Sequence, residues 1–148
     1  MVMGIIALLA AVVIVAINPA RQFAQARNSQ RVSNVNSILN AVGQNIADHR
    51  GVFECDSGPL PTVETVIRST GVSGGGPGAG YDLVDCIVPL YLPALAFDPS
   101  APDAYFTSST DYNTGYTIKI DEQTGRITVS APFAQTSGEL NQEISAMR

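Results

Sequence analysis

Few of the side chains that usually carry chemistry are present in this chain. His49 is the only histidine, and Cys55 and Cys86 are the only cysteines. Zinc sites and nucleophilic relays need several such groups close together, so the sequence lacks their parts. The chain has 13 acidic residues, from which a hydrolytic carboxylate pair could be drawn, but no spacing singles out two of them. We therefore expect no catalytic, cofactor-binding or metal-binding residues and a protein that is not an enzyme.

Two short segments have part of the pattern of a ligand-binding loop. The segment from Asp111 to Gly115 has the opening of a calcium loop but lacks the bidentate glutamate at the required spacing, so we predict a turn there. The glycine-rich segment from Gly71 to Gly80 has neither the lysine nor the strand and helix context of a phosphate-binding loop, and we predict a surface loop. His49 falls at the end of a predicted helix, where a cationic side chain lies favourably near unpaired carbonyls.

The cysteines are not arranged as a C-x-x-C pair, the usual pattern of a metal or redox site. In an exported protein, two isolated cysteines indicate one disulfide between Cys55 and Cys86, and the alternative is two buried free thiols. A bridge would close a loop of about 32 residues, which contributes about 3 to 4 kcal/mol in the chain-entropy model. Within that loop, Thr62 to Thr70 is predicted to form a short helix that Thr62 caps and Gly71 ends.

Charge is distributed unevenly along the chain. The formal net charge is −5, and four arginines against Asp48 give residues 1–50 a charge of +3, which leaves −8 for the remainder. Phosphate binding needs clustered Lys and Arg, so the acidic remainder argues against nucleic acid as a ligand of the globular part. If DNA is a partner, only the basic residues 1–50 could contact it. Nothing further in the sequence supports DNA binding. Halves of opposite sign also suit head-to-tail packing of copies of the chain.

The run from Met1 to Ile17 is uncharged and almost wholly apolar. About 17 to 25 apolar residues cross a bilayer as a helix, so this run is borderline for a membrane span. A secretory signal peptide is the alternative, but the run has no basic segment before it and no small-residue cleavage pattern after it. We favour a retained apolar helix for assembly or membrane insertion over residues 1–19. Asn18 and Pro19 should break it, because proline lacks the N–H that a continuing helix would use. Alternatively, they start a second helical section, because asparagine suits an N-cap and proline suits the first helical position.

A second, amphipathic helical segment is predicted over residues 20–50, continuing into the globular part. Apolar residues recur there at spacings of three and four, which is typical of a helix with one stripe on a partner surface. We predict that this stripe packs against the protein's own sheet. Its members are Val32, Val35, Leu39, Val42 and Ile46.

The length of the helix decides what can cover the apolar front. A nearly continuous helix from Met1 to Asp48 would be about 70 Å long, whereas a compact chain of this size has a radius of gyration of about 15 Å. The front half must therefore project, and lipid or other copies of the chain must bury it. The residues predicted to form this filament-core surface are Gly4, Ile5, Ile6, Ala7, Leu8, Leu9, Ala10, Ala11, Val12, Val13 and Ile14.

The remainder, residues 51–148, is predicted to be a globular head with the disulfide loop and an antiparallel sheet. Alternating residues predict strands at Tyr116 to Ile120 and Arg126 to Ala131, with a hairpin turn that ends at Gly125. A further strand is expected near Ala104 to Ser108. The predicted fold class is α+β: a long N-terminal helix with a projecting apolar half, whose C-terminal half packs on a small antiparallel β-sheet head.

The front half has the sequence IIALLAAVVIVAINPARQFAQARNSQRVSNVNSILNAV, which resembles the N-terminal helix of the type IV pilin family, the bacterial pilins and pseudopilins. The back half is similar to that family in outline, with a disulfide-containing head, a variable loop and an antiparallel sheet laid on the helix. The resemblance implies a subunit that is stored in the cytoplasmic membrane, extracted by the pilus assembly machinery and polymerised with its apolar helices bundled in the filament core. The family's partly unwound helical segment would fall near Val15 to Pro19.

The function that the resemblance implies is that of a structural protein. We expect a major pilin that forms a homo-oligomeric helical filament, extracellular on the bacterial surface and with a membrane-anchored precursor, serving attachment, motility or DNA uptake. The alternatives are a pseudopilin of a secretion system and a monomeric, membrane-anchored extracellular binding module. Family members usually begin, after processing, with Phe followed shortly by a Glu that meets a neighbour's terminal amine, but no acidic residue precedes Asp48 here. We therefore expect the sequence to begin several residues inside the family helix.

Overall fold

A computed structural model describes residues 2–16, 19–69, 80–134 and 143–148. Asn18, which was predicted to break the front helix, and residues 71–79 of the predicted glycine-rich loop lie outside this part of the chain. Within the described residues, helices at the front precede a small antiparallel sheet, so the chain has an α+β fold.

Two long helices occupy the front of the chain. Helix α1 spans Val2–Ala16 and helix α2 spans Pro19–Asp48, so the single long helix expected from the sequence is described as two. At about 1.5 Å per residue they are about 22 Å and about 45 Å long. Pro19 is the first described residue of α2, and residues 17–18 lie outside the described part of the chain. Among the described residues, no helix combines the length and the apolar character needed to cross a membrane.

The head contains one five-stranded antiparallel sheet. Its strands are β1 (Thr65–Arg68), β2 (Tyr105–Ser108), β3 (Asp111–Ile120), β4 (Ile127–Ala131) and β5 (Ile144–Met147), and a short helix α3 (Val84–Ile87) lies between β1 and β2 in sequence. Strands β1, β3, β4 and β5 are neighbours in that order, and β2 pairs with the start of β3. The long strand β3 therefore joins three other strands of the sheet.

The strands predicted in the second half of the chain are present. The predictions at 116–120, 126–131 and 104–108 correspond to the C-terminal half of β3, to β4 and to β2. The turn between β3 and β4 includes Gly125, whose φ of 68° lies in the left-handed region that glycine adopts without strain. Asp121 stabilises this turn, because its carboxylate accepts the backbone N–H of Gln123 at 2.8 Å and that of Thr124 at 3.2 Å.

Two local predictions are wrong. The segment from Thr62 to Thr70, predicted as a short helix, contains strand β1, which pairs with β3. A neighbouring strand supplies hydrogen-bond partners to these β-branched residues, whereas a helix of this length would be marginal alone. The segment from Asp111 to Gly115, predicted as a turn, forms the first half of β3. It keeps one turn-like bond inside the strand, because the N–H of Gly115 donates to Asn113 Oδ1 at 3.1 Å.

The hydrophobic core lies between α2 and the sheet. Helix α2 packs on β4 and β5, and alternate residues of β4, namely Ile127, Val129 and Ala131, are buried. On α2, the side chains of Ile38 and Val42 are fully buried. Helix α2 and the sheet thus share one core.

Two buried tyrosines hold the segment before α3 against its surroundings. The hydroxyl of Tyr112 donates to Asp82 Oδ1 at 2.8 Å and accepts the N–H of Leu83 at 3.0 Å. Tyr81 donates to the carbonyl of Gly58 at 2.7 Å. Burial, with a smaller contribution from the charge of Asp82, raises the pKa of Tyr81 to about 12. Burial and the hydrogen bond to Asp82 also raise the pKa of Tyr112.

We expect the stability of the head to fall at alkaline pH. In the unfolded chain a tyrosine loses its proton near about pH 10, whereas folded Tyr81 keeps its proton until about pH 12. The unfolded state therefore binds fewer protons between these values, and the free energy of unfolding decreases by up to about 1.4 kcal/mol per pH unit for each such group. Urea unfolding followed by circular dichroism between about pH 9 and pH 12 measures this slope.

The variant Tyr81→Phe removes one of the titrating groups, so its free energy of unfolding should decline less steeply with pH. Below about pH 9 the two proteins should behave in parallel, because tyrosine is protonated in both states there. An identical slope for the variant and the parent protein would contradict the role of Tyr81.

Candidate assembly surface

Helix α1 exposes apolar side chains on every side. Every residue from Val2 to Val13 is exposed, and the exposed fraction of the large side chains runs from 54% at Val13 to 84% at Met3. These large side chains are Val2, Met3, Ile5, Ile6, Leu8, Leu9, Val12 and Val13. The smaller residues predicted for this surface are also exposed: Gly4, Ala7, Ala10 and Ala11. Ile14 belongs to α1, and its side chain lies outside the described part of the chain.

We call residues 2–13 of α1 the apolar arm. A helix that is apolar all round is typical of a segment that other apolar groups surround, and a contiguous exposed apolar patch marks an interaction or membrane surface. Fully burying one Val, Leu or Ile side chain stabilises by about 1.5 to 3 kcal/mol relative to water, so covering the arm would contribute on the order of 10 kcal/mol. Ala7 and Ala11 lie four residues apart on one face, where small side chains let another helix approach closely.

A buried ion pair fastens α2 to the head. The side chains of Arg31 and Asp98 are both fully buried. Arg31 Nε donates to Asp98 Oδ2 at 2.7 Å and Nη2 donates to Oδ1 at 2.9 Å, so the contact is bidentate. The guanidinium also donates to Asn28 Oδ1 at 2.8 Å and to Ser100 Oγ at 2.7 Å. This set of partners is what makes two charges tolerable away from water.

The turn that carries Asp98 is held against β3. Asp98 Oδ1 accepts the backbone N–H groups of Ser100 and Ala101, each at 2.9 Å. The N–H of Asp98 donates to the carbonyl of Thr114 at 2.8 Å. Gly115, which follows Thr114 in β3, has a φ of 73°. A Cβ at this position would lie 3.1 Å from the Cβ of Ala101 and 3.3 Å from that of Asp98. A glycine at this position therefore permits the close approach of the turn that presents the carboxylate.

Two buried asparagines of α2 add contacts to the head. Asn34 Nδ2 donates to the hydroxyl of Tyr116 at 2.9 Å. Near the end of the helix, Asn45 Nδ2 donates to the carbonyls of Glu54 at 3.0 Å and Cys86 at 3.2 Å, and its Oδ1 accepts the N–H of Glu54 at 3.1 Å. Together with the buried arginine, these side chains anchor α2 to the head at residues 31–34 and again at residue 45.

The structure places four of the five predicted sheet-packing residues at the core. Val35, Leu39 and Val42 are buried in it, and Ile46 is partly buried against it. Val32 is 44% exposed, so the prediction that it packs on the sheet is wrong. The buried face of α2 follows residues 24, 28, 31, 35, 38, 42 and 45, and this face leaves Val32 outside. Several of those positions are polar, so a count of apolar residues alone misses them, although their spacing of three and four is regular.

Cys55 and Cys86 form a disulfide, which was one of the two alternatives that the sequence left open. The bridge joins the segment after α2 to helix α3, and both cysteines lie partly buried at the edge of the core. It closes the loop that contains β1, and β1 itself is held by its pairing with β3.

The described residues contain no group of three or more His, Cys, Asp or Glu side chains arranged to hold a metal ion. His49 directly follows the last residue of α2. Its Nδ1 lies 2.7 Å from the carbonyl oxygen of Asn45, and its Nε2 lies 3.5 Å from Glu54 Oε2. The histidine therefore lies at the helix end where the sequence predicted it.

Comparisons of the chain with protein-family models, with curated proteins and with solved structures found no match. A functional assignment therefore depends on the residues and the geometry of this chain itself.

Replacing Asp98 by alanine should destabilise the protein by about 3 to 5 kcal/mol, because the change leaves the buried guanidinium of Arg31 without its counter-charge. Urea unfolding followed by circular dichroism measures the loss. Removing both partners in an Arg31→Met and Asp98→Leu double variant should recover much of it, because no unpaired charge is then buried.

The matched control for this change is Glu143→Ala, which removes an exposed carboxylate and should alter the stability by less than about 0.5 kcal/mol. A loss for Asp98→Ala as small as that of the control would contradict the anchoring role of the buried pair.

Proposed function

We propose that this chain is the structural subunit of an extracellular type IV pilus-like filament, as a major pilin. The observation that carries the proposal is the apolar arm, whose side chains are exposed along residues 2–13. Neighbouring copies of the chain would cover the arm by bundling it with their own arms in the filament core. The filament would serve attachment, motility or DNA uptake.

The contrast between the arm and α2 supports this role. Helix α2 shares a core with the sheet and is fastened to the head by the buried pair of Arg31 and Asp98. The core of the head therefore includes α2, and the arm is a separate apolar surface. A polymer subunit needs this division, because its head must remain folded while its arm changes surroundings.

The likeness of the front half to the N-terminal helix of type IV pilins agrees with that division of roles. In such a cycle the arm lies first in the cytoplasmic membrane, and the pilus assembly machinery then moves it into the filament. Lipid is itself apolar, so the exchange gains less than burial from water would, and close helix packing has to supply the difference. The small residues Gly4, Ala7, Ala10 and Ala11 should therefore matter more than their size suggests.

Electron microscopy of sheared surface material from cells that make this chain tests the proposal. We expect long filaments that react along their whole length with an antibody to the head. Short structures confined to the cell envelope would favour a pseudopilin, and single molecules retained in the membrane fraction would favour an anchored binding module. Either of those two outcomes would overturn the assignment as a major pilin.

The variant Ala10→Asp should abolish filaments while the head still folds. A carboxylate in a packed apolar bundle loses its water without gaining a partner, which costs several kcal/mol at least. Filament yield by sedimentation and microscopy measures the effect, and circular dichroism together with the intact Cys55–Cys86 bridge reports the folding of the head.

The matched control is Ala94→Asp, at an exposed alanine of the head, which should leave the filament yield unchanged. A normal yield from the Ala10→Asp variant would contradict the packing role of the arm.

A further inference from the structure

Two exposed features, an aromatic side chain and an apolar groove, lie near opposite ends of α2. Near its start, Phe23 keeps 65% of its surface exposed, although a large aromatic side chain gains much from burial. Arg27 is also exposed and follows four residues later, so both side chains lie on the same face of the helix. Just beyond the end of α2, residues 51–53 border an apolar groove.

The groove has a volume of about 410 Å³. Its apolar lining comes from three parts of the head and includes Val52, Phe53, Leu60 and Ile120, and Glu122 also lines it. Pockets of about 300 to 1,000 Å³ admit small organic groups, so the groove has room for an aromatic ring. Val52 is 64% exposed, which leaves apolar surface of the groove open to solvent.

The charges at the two features are complementary. Glu122 is exposed and adjoins Asp121, so the groove has negative charge beside an apolar floor. Phe23 has positive charge beside it, from Arg27. In the part of the chain that the structure describes, neither Arg27 nor Glu122 has an ion-pair partner. Arg27 and Glu122 thus place charges of opposite sign beside the two apolar features.

We propose that Phe23 of one copy of this chain inserts into the groove of a second copy, where Arg27 pairs with Glu122. The occupant is a second copy because the aromatic residue and the charge that match the groove are on the surface of this same chain. The inference rests on the proposed function, since it adds a contact between α2 and a neighbouring head to a filament that the apolar arm forms.

The positions of the two features say how such contacts would repeat. The contact joins different surfaces of the two copies. One copy therefore keeps its groove free and the other keeps its Phe23 free, so further copies can add at both ends of an open polymer. Phe23 and the end of α2 are separated by about 40 Å at about 1.5 Å per residue. Copies joined in this way would therefore be displaced from one another by a comparable distance along α2.

Assembly of the full chain on dilution of detergent tests the contact, with the critical concentration for assembly measured by sedimentation. Phe23→Ala should raise the critical concentration about tenfold, because the buried aromatic surface is lost. Arg27→Glu and Glu122→Lys should each raise it at least about threefold through like-charge repulsion. The double variant with both charge changes should return to within about twofold of wild type, because the pair is restored in reverse.

Matched controls use exposed residues that belong neither to α2 nor to the lining of the groove. Phe133→Ala removes an aromatic side chain that is 47% exposed, and Glu143→Lys makes the same charge change as Glu122→Lys at another exposed position. Both controls should assemble as wild type does.

The outcomes separate the contact from the proposed function. A wild-type chain that stays monomeric at every concentration would overturn both. If wild type assembles and Ala10→Asp does not, while Phe23→Ala and the two single charge variants assemble as readily as wild type, only the contact is overturned. Failure of the double charge variant to recover would overturn the pairing of Arg27 with Glu122.

Discussion

The attachment of α2 to the head depends on a pair of charges from which water is excluded. Arg31 comes from α2 and Asp98 from a turn held against β3, and neither charge would be stable there without the other. The two parallel hydrogen bonds from Arg31 to Asp98 also fix the rotation of α2 about its axis relative to the turn that carries Asp98. Turning α2 by one residue rotates its side chains by about 100°, which would carry the guanidinium away from the carboxylate. Apolar side chains can repack more readily than a bidentate ion pair can. The ion pair therefore specifies which face of the helix meets the sheet.

The two helices at the front of the chain differ in exposure to solvent: α2 has one buried face, whereas residues 2–13 of α1 are exposed. Helix α2 contributes apolar residues to a core and satisfies its buried polar side chains with partners from the head. Helix α1 has an apolar surface along residues 2–13 that is exposed, and no other described segment of the chain covers it. The folding of the head therefore does not depend on covering the exposed side chains of the arm. A subunit that passes from lipid to a polymer fits this division, because its folded part need not change when its arm does.

Alternation in the sequence predicted β4 and the C-terminal half of β3, whereas β1, β5 and the first half of β3 were not predicted as strands. The uninterrupted apolar run predicted an N-terminal helix, and its residues 2–13 are exposed. Alternation located the hairpin of β3 and β4, and Gly125 located its turn. The errors arose where polar side chains take part in packing or where a distant segment decides the local structure. Arg31 and Asn45 lie on the buried face of α2, but both are polar, so a search for apolar spacing passes over them. Strand β1 is short enough to suit either helix or strand, and its pairing with β3 decides between them. The groove beside Glu122 depends on three segments that meet only in the folded head, so no local pattern could have predicted it.

The contacts of Asn45 have a mechanical consequence. This side chain joins the last turns of α2 to the backbone on either side of the Cys55–Cys86 bridge, through Glu54 and through Cys86 itself. Tension applied along α2 would thus pass into two backbone segments that the Cys55–Cys86 disulfide holds together. Separating these two segments from each other would require breaking the disulfide, whereas separating both from Asn45 would require breaking its hydrogen bonds to each. A head built in this way resists being pulled off its own helix.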